Sequence, residues 1–339
     1  MTRIAVVGVG SMGKNHVRIF SDLPGVELVA IADQSPELAQ KIGNFYHVPY
    51  YYDYVEMIEK TKPDAVSVVV PTSLHYKIAK EILGFGCHVF VEKPIASTGE
   101  EAEDLVSMAK QLGLKLMVGH IERFNPAIIE LKRRIEDGEL GDIFQVHARR
   151  LGPFPTRIQD VDVIMDLAPH DLDIMRYLIG SDINRLHAET NRILHETMDD
   201  LFAGLLRFDN GVLGVLEINW LTPTKIRELY VTGELGMFQV NYITQDLFYF
   251  ENAEANGESW TTLSLMRGVS EGMVVKYPIK KREPLLAELE NFIALVEGRA
   301  PQFENGRDAT IAIELVASLK ESARIGQTIE FASAVPSQS

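Results

Sequence analysis

Near the start of the chain a short apolar run, Ile4-Ala5-Val6-Val7, stops at Gly8-Val9-Gly10-Ser11-Met12-Gly13. No other stretch limits the fold as much. An apolar run ending in glycine suits a strand from Arg3 to Val9 buried on both faces of a parallel sheet. Gly8 permits a tight turn, Gly10 lets backbone approach a pyrophosphate, and Gly13 lets the following helix pack closely on the strand. That helix is predicted to begin near Ser11, with its positive end toward the phosphates. A second strand, Val26 to Ala32, runs into Asp33, 20 residues beyond Gly13, where a carboxylate can accept hydrogen bonds from an adenosine ribose. Gln34, Ser35 and Pro36 follow, with no adjacent cation for a 2′-phosphate, so the pattern favours NAD over NADP.

Strand and helix patterns then alternate to about residue 124: helix 36–46, strand 49–52, helix 54–60, strand 64–70, helix 74–83, strand 88–92, helix 99–112 and strand 115–119. This βαβα order predicts an α/β Rossmann domain over 1–124, a doubly wound parallel sheet with its ligand at the carboxyl ends of the strands. Those ends carry Pro71, Thr72 and His75, then Glu92-Lys93-Pro94, then His120 to Phe124. A lysine directly after a buried strand and before a proline is a candidate for an orienting ammonium beside the cofactor, the alternative being a solvated charge paired with Glu92.

From residue 125 the texture changes. A helix over 126–137 is followed by extended stretches at 143–150, 185–191, 201–208, 212–219, 226–232, 236–242 and 247–251. Asp209-Asn210-Gly211 separates two of them as a hairpin turn does. The second domain, 125–331, is therefore predicted to be α+β. Its closing helices, 285–296 and 308–325, have the spacing to pack back on the body of the protein, and 332–339 reads as a frayed tail. A further helical segment, 163–178, holds Asp166 and His170 at i, i+4, which places them on one face. Pro169 fits best if that helix starts near Leu167 or Ala168, with Asp166 as a partial N-cap. A histidine beside an aspartate suits proton transfer near neutral pH.

The 33 basic and 48 acidic side chains leave a net charge of −15. That argues against nucleic acid or an anionic membrane as the main partner, though a few local arginines can still hold an anionic small molecule. The single cysteine, Cys87, cannot form an internal disulfide, and no zinc-site spacing is present, so no metal is expected. Neither a signal peptide nor a bilayer-spanning run is visible, and a cytoplasmic protein is the simplest reading.

Taken together, the N-terminal GxGxxG, Glu92-Lys93-Pro94 and Asp166-xxx-His170 resemble the Gfo/Idh/MocA oxidoreductases over essentially the whole chain. Ala168 stands where the family often has glycine. The resemblance implies a Rossmann domain followed by a domain with a large, open-faced, mainly antiparallel sheet often used for homo-oligomer contacts, in a dimer or tetramer. It further implies NAD as cofactor, held by Gly8, Gly10, Ser11, Met12, Gly13, Asp33, Pro71, Thr72, His75, Glu92 and Lys93, with Lys93, Asp166 and His170 catalytic. The stretches 119–126 and 160–166 are similar to the branch acting on nucleotide-activated amino sugars, the UDP-N-acetylglucosamine 3-dehydrogenases. Arg123, Asn125, Arg149, Arg150 and Arg157 are candidate donors to such a substrate, although a surface charge is the alternative for each arginine. Three other readings remain open: a free-polyol or inositol dehydrogenase, an NAD-dependent glycoside hydrolase, and a non-catalytic NAD-binding regulator.

Overall fold

The computed structural model describes residues 1–155, 162–253, 270–299 and 306–331. The chain divides into two compact units, Met1–Ile121 with Glu283–Glu314, and Glu122–Arg282 with Leu315–Ser339.

The first unit contains the alternation expected of a dinucleotide fold. In chain order it has β1 (Thr2–Val7), α1 (Gly13–Asp22), β2 (Val26–Ala32), α2 (Pro36–Tyr46), β3 (Tyr50–Tyr51) and α3 (Tyr54–Thr61), then β4 (Ala65–Val68), α4 (Thr72–Gly84), β5 (His88–Glu92), α5 (Gly99–Leu112) and β6 (Leu116–Gly119). All strand pairs are parallel, in the order β3-β2-β1-β4-β5-β6. The order reverses between β1 and β4, where the carboxyl ends diverge to leave a ligand crevice. Val66, Val68, Val89 and Val91 have no exposed surface, so burial stabilises the central strands by about 1.5–3 kcal/mol per side chain. Local signals set the helix ends. The Asp53 carboxylate accepts from Val55 N and Glu56 N to start α3, and Thr98 caps α5, which stops at Gly113 with φ of 67°.

The second unit contains a 3-10 turn (Ile121–Phe124), α6 (Pro126–Glu136), β7 (Ile143–Pro153), α7 (Val163–Ile179), β8 (Ile183–Asn191), β9 (Leu201–Phe208), β10 (Leu213–Asn219), β11 (Leu221–Gly233), β12 (Gly236–Asn241), β13 (Asp246–Ala253) and β14 (Ser270–Tyr277). After β14 come α8 (Pro284–Val296), which belongs to the first unit, α9 (Gly306–Ile325), which passes from the first unit into the second, and β15 (Ile329–Glu330). The nine-stranded sheet runs β14-β13-β12-β11-β7-β10-β9-β8-β15, antiparallel except for β7 with β10. One face carries Val146, Ala148, Leu206, Leu216 and Phe238, all essentially buried, and the alternate positions are half-buried or exposed, Leu205 among them at 51%. Helix α8 packs on the Rossmann sheet of its own unit, with Phe292 5.6 Å from Phe90.

Several local expectations are corrected. Helix α1 starts at Gly13 rather than Ser11. Helix α7 starts at Val163, as the 163–178 segment indicated, but its N-cap is Asp162 rather than Asp166, so Pro169 lies inside the helix and Asp166 in its first turn. Strands β14 and β15 have no counterpart in the sequence reading. The tail, 332–339, lies outside the described residues. Among the described residues no helix is long and apolar enough to cross a membrane.

Candidate active site

In the first unit the glycine motif forms the turn out of β1. Gly8 has φ of +88°, and a Cβ there would meet Val69 O at 2.2 Å, so only glycine fits. At Gly13 a Cβ would meet Gly8 O at 1.9 Å, which is the close helix-to-strand approach its role requires. At Gly10 a Cβ would meet nothing within 4 Å. Its bareness serves no neighbour in the protein and leaves room for a ligand. Ser11 and Met12 are exposed on the same loop.

Asp33, at the end of β2, accepts hydrogen bonds from Val9 N and Ser35 N, each at 2.8 Å, one on each carboxylate oxygen. This fixes the carboxylate over the turn while leaving lone pairs free to receive ribose hydroxyls. A cleft of about 290 Å³ opens here, lined by Gly8, Gly10, Asp33, Gln34 and Pro71, with Tyr52, Leu74 and Ile78 supplying an apolar wall. Thr72 opens α4 behind Pro71. A bare glycine turn, a fixed acid and an apolar wall together match what the pyrophosphate, ribose and adenine of NAD require.

Lys93 follows β5 and is half-buried, and the Lys93–Pro94 peptide is cis. Two buried histidines hold the loop that carries it. His75, 1% exposed, places Nδ1 2.6 Å from Pro94 O and Nε2 2.8 Å from Val70 O. It therefore joins the Lys93–Pro94 turn to the end of β4, a different task from the cofactor contact expected of it. Both partners are acceptors, so a neutral ring can donate to only one of them. Burial presses the His75 pKa below the ordinary imidazole value, against the pull of the two carbonyls and of Glu92. His16, fully buried, lies between Ser67 Oγ at 2.9 Å and Glu92 Oε1 at 3.1 Å. Burial alone would raise the Glu92 carboxyl. The His16 hydrogen bond, with the charges of His16, Lys93 and His75, nevertheless holds it below the usual carboxylate range. Glu92 is thus an anion on which the charge of the adjacent Lys93 acts. His16 was missed in the sequence because nothing near it in the chain marks its partner Glu92.

In the second unit Asp166 and His170 occupy successive turns of α7, both half-buried. Asp162 caps the helix, accepting from Met165 N at 2.9 Å, and is itself paired with Lys320 at 2.6 Å. Farther along α7, Asp171 binds Arg150 through two bonds at 2.7 and 2.9 Å, and Arg150 also reaches Glu122 at 3.0 Å. Asp173 binds Arg123 in the same two-pronged way. Both arginines are about 6% exposed. Burial disfavours the Arg150 charge, but Asp171 and Glu122 more than offset it and hold the guanidinium firmly protonated.

These pairs bear directly on the expected substrate donors. Arg123 and Arg150 are committed to carboxylates of α7 and tie that helix to the unit. Asn125 is 1% exposed, caps α6 through Ala127 N and donates to Tyr242 O at 3.0 Å. Arg149 lies on the opposite face of β7 from Arg150 and pairs with Glu217 at 2.8 Å. All four side chains are thus engaged by groups of the protein itself, with Arg149 the most exposed of them at 32%. Arg157 lies outside the described residues, as do positions 160 and 161 of the second family-like stretch. Cys87 is buried and donates to Pro63 O at 3.3 Å, and burial raises its thiol pKa to about 11, which makes it an inert packing residue.

Two family models match the chain. One, described as the oxidoreductase family with NAD-binding Rossmann fold, covers residues 2–120, and the other, the GFO/IDH/MocA C-terminal domain, covers 128–239. UDP-N-acetylglucosamine 3-dehydrogenase of Acidithiobacillus ferrooxidans is 28% identical over 90% of this chain and 91% of its own. A solved structure of that enzyme superposes with a TM-score of 0.83 at 26% identity, covering 96% of this chain and 98% of its own. The NAD(+)-dependent scyllo-inositol 2-dehydrogenase of Bacillus subtilis is 26% identical over 97% of this chain and 96% of its own.

Proposed function

This chain belongs to the GFO/IDH/MocA oxidoreductases, NAD-binding sugar and polyol dehydrogenases, and on that premise we propose that it oxidises a ring hydroxyl of a nucleotide-activated amino sugar to a ketone, best matched by the 3-hydroxyl of UDP-N-acetylglucosamine. When bound, NAD supplies the nicotinamide that accepts the hydride from the carbinol carbon. His170 takes the hydroxyl proton as general base while the carbon–oxygen double bond forms. Lys93 donates a hydrogen bond to the same oxygen and stabilises its developing charge. Asp166, one turn before His170, orients the imidazole.

The observation that carries this reading is the construction around Lys93. A half-buried lysine stands at the end of β5, next to an anionic Glu92 held by His16, on a turn clamped by His75 to the end of β4. Such support is what a group needs to meet a reacting atom with little reorganisation. The nucleotide-sugar part rests on the similarity to the 3-dehydrogenase across both units. The likeness to the inositol enzyme favours a free polyol as the second reading. For the exposed face of the nine-stranded sheet, the proposed partner is a second copy of the chain.

Lys93→Ala and His170→Ala are each expected to lower turnover about 10²-fold or more, with NAD affinity, read by calorimetric titration, little changed. Loss of NAD binding in both variants would refute the assigned roles.

A further inference from the structure

Strand β11 enters the sheet irregularly. Leu221 pairs with Pro153 and Ile226 with Leu151, so Thr222, Pro223, Thr224 and Lys225 together stand opposite the single residue Gly152. A bulge of this kind re-aims side chains and is common beside active sites. Arg227 then pairs directly with Arg150, and directly opposed residues of an antiparallel pair share a face. Arg227 is therefore on the α7 face, the face on which Arg150 meets Asp171.

Most arginines of the described residues are matched with a carboxylate, as an acidic protein makes easy. Arg227 is half-buried, and among the described residues its only hydrogen bonds run from Nη1 to Leu151 O at 2.5 Å and Ile226 O at 2.9 Å. Burial and the neighbouring Arg150 charge push its pKa down, and Asp171, Glu122 and Asp166 pull it up without any of them forming an ion pair with it. Lys225 is exposed and likewise has no carboxylate partner among the described residues. The two cations flank Gly152, whose missing side chain leaves Lys225 Cγ at 3.6 Å and the Arg227 Nη atoms at 3.9 Å from where a Cβ would stand.

We propose that Gly152, Lys225 and Arg227 form the anion pocket of the substrate unit and hold the diphosphate of a nucleotide sugar. The carbonyls of Leu151 and Ile226 hold the guanidinium through Nη1, leaving Nη2 and Nε to donate to phosphate oxygens. Arg227 is half-buried on the face that carries Arg150 and its α7 partner Asp171, the residue after His170, whereas Lys225 is exposed, so Arg227 is the inner cation and Lys225 the outer one. That order suits a ligand whose sugar reacts at His170 and whose phosphates trail away from it. The pocket rests on the nucleotide-sugar reading above, which the following experiment separates from it.

Two measurements on the NAD-loaded full chain test it: calorimetric titration with UDP, and the KM and kcat for UDP-N-acetylglucosamine. Arg227→Met is expected to weaken UDP binding about 10- to 100-fold, the worth of a charge-assisted pair to phosphate, and to raise KM by more than it lowers kcat. Lys225→Met, on the surface and harmless to folding, is expected to do the same to a smaller degree. Unchanged UDP binding and KM in both variants, with the wild type oxidising the nucleotide sugar, would overturn the pocket and leave the dehydrogenase reading standing. A wild type that oxidises free polyols and does not bind UDP would overturn the substrate reading and the pocket with it.

Discussion

At the scale of single residues, the three motif glycines separate into folding and binding roles. Gly8→Ala forces a side chain into a positive φ, which costs about 1–2 kcal/mol, and drives its Cβ into Val69 O. That variant is expected to lose stability. Gly10 has neither constraint, so Gly10→Ala is expected to melt at nearly the wild-type temperature and yet bind NAD at least about tenfold more weakly, because the methyl occupies the phosphates' space. Paired thermal melts and NAD titrations check both, and a Gly10→Ala protein that binds NAD normally would refute the assignment. The glycines and Asp33 could be read from the sequence because their roles depend on local spacing. Arg123, Arg149 and Arg150 could not, because a cation's partner is a tertiary fact. Asp173 lies 50 residues from Arg123, and Glu217 lies 68 from Arg149.

At the scale of elements, α7 brings together legible and illegible features. Its span from Val163, its period and its Asp166/His170 spacing are visible in the sequence, but the residue that caps it is not. Pro169 has no N–H for the Met165 carbonyl, which argues locally for a helix beginning later. Asp162 overrides that argument by capping Met165 N and pairing with Lys320. Asp162→Ala is accordingly expected to destabilise the protein by about 1 kcal/mol, and to lower kcat because the first turns of α7 carry Asp166 and His170. Urea denaturation together with steady-state kinetics measures both effects, and unchanged values in each would show that the cap does not organise the helix. The β11 bulge was equally hidden, since a register offset belongs to the strand pair and not to either sequence. Strand β14 was missed for a related reason, as only its pairing with β13 identifies it.

At the scale of the whole molecule, the order of strands and helices was enough to give a parallel doubly wound sheet and then a mainly antiparallel one, because hydrophobic period and turn chemistry survive without tertiary context. The return of α8 and the first part of α9 to the Rossmann unit is a matter of packing that their amphipathic spacing only suggested. The buried titratable groups also act together. His75, His88 and His147 all have pKa values lowered chiefly by burial. The unfolded chain therefore binds more protons than the folded one below about 6.5, and stability falls as pH drops through that value. Glu92, held below the ordinary carboxylate range, adds a second loss below about 4.5. Melting temperature is expected to decline from pH 7 to pH 5 and again below pH 4.5, and a flat profile across both windows would contradict the burial argument. The most direct test of the account is NADH absorbance with wild-type protein, NAD and UDP-N-acetylglucosamine, set beside the same assay with inositol. A rise in absorbance with the nucleotide sugar that far exceeds the rise with inositol is the predicted result. A rise with inositol alone, or with neither substrate while NAD is bound, would contradict it.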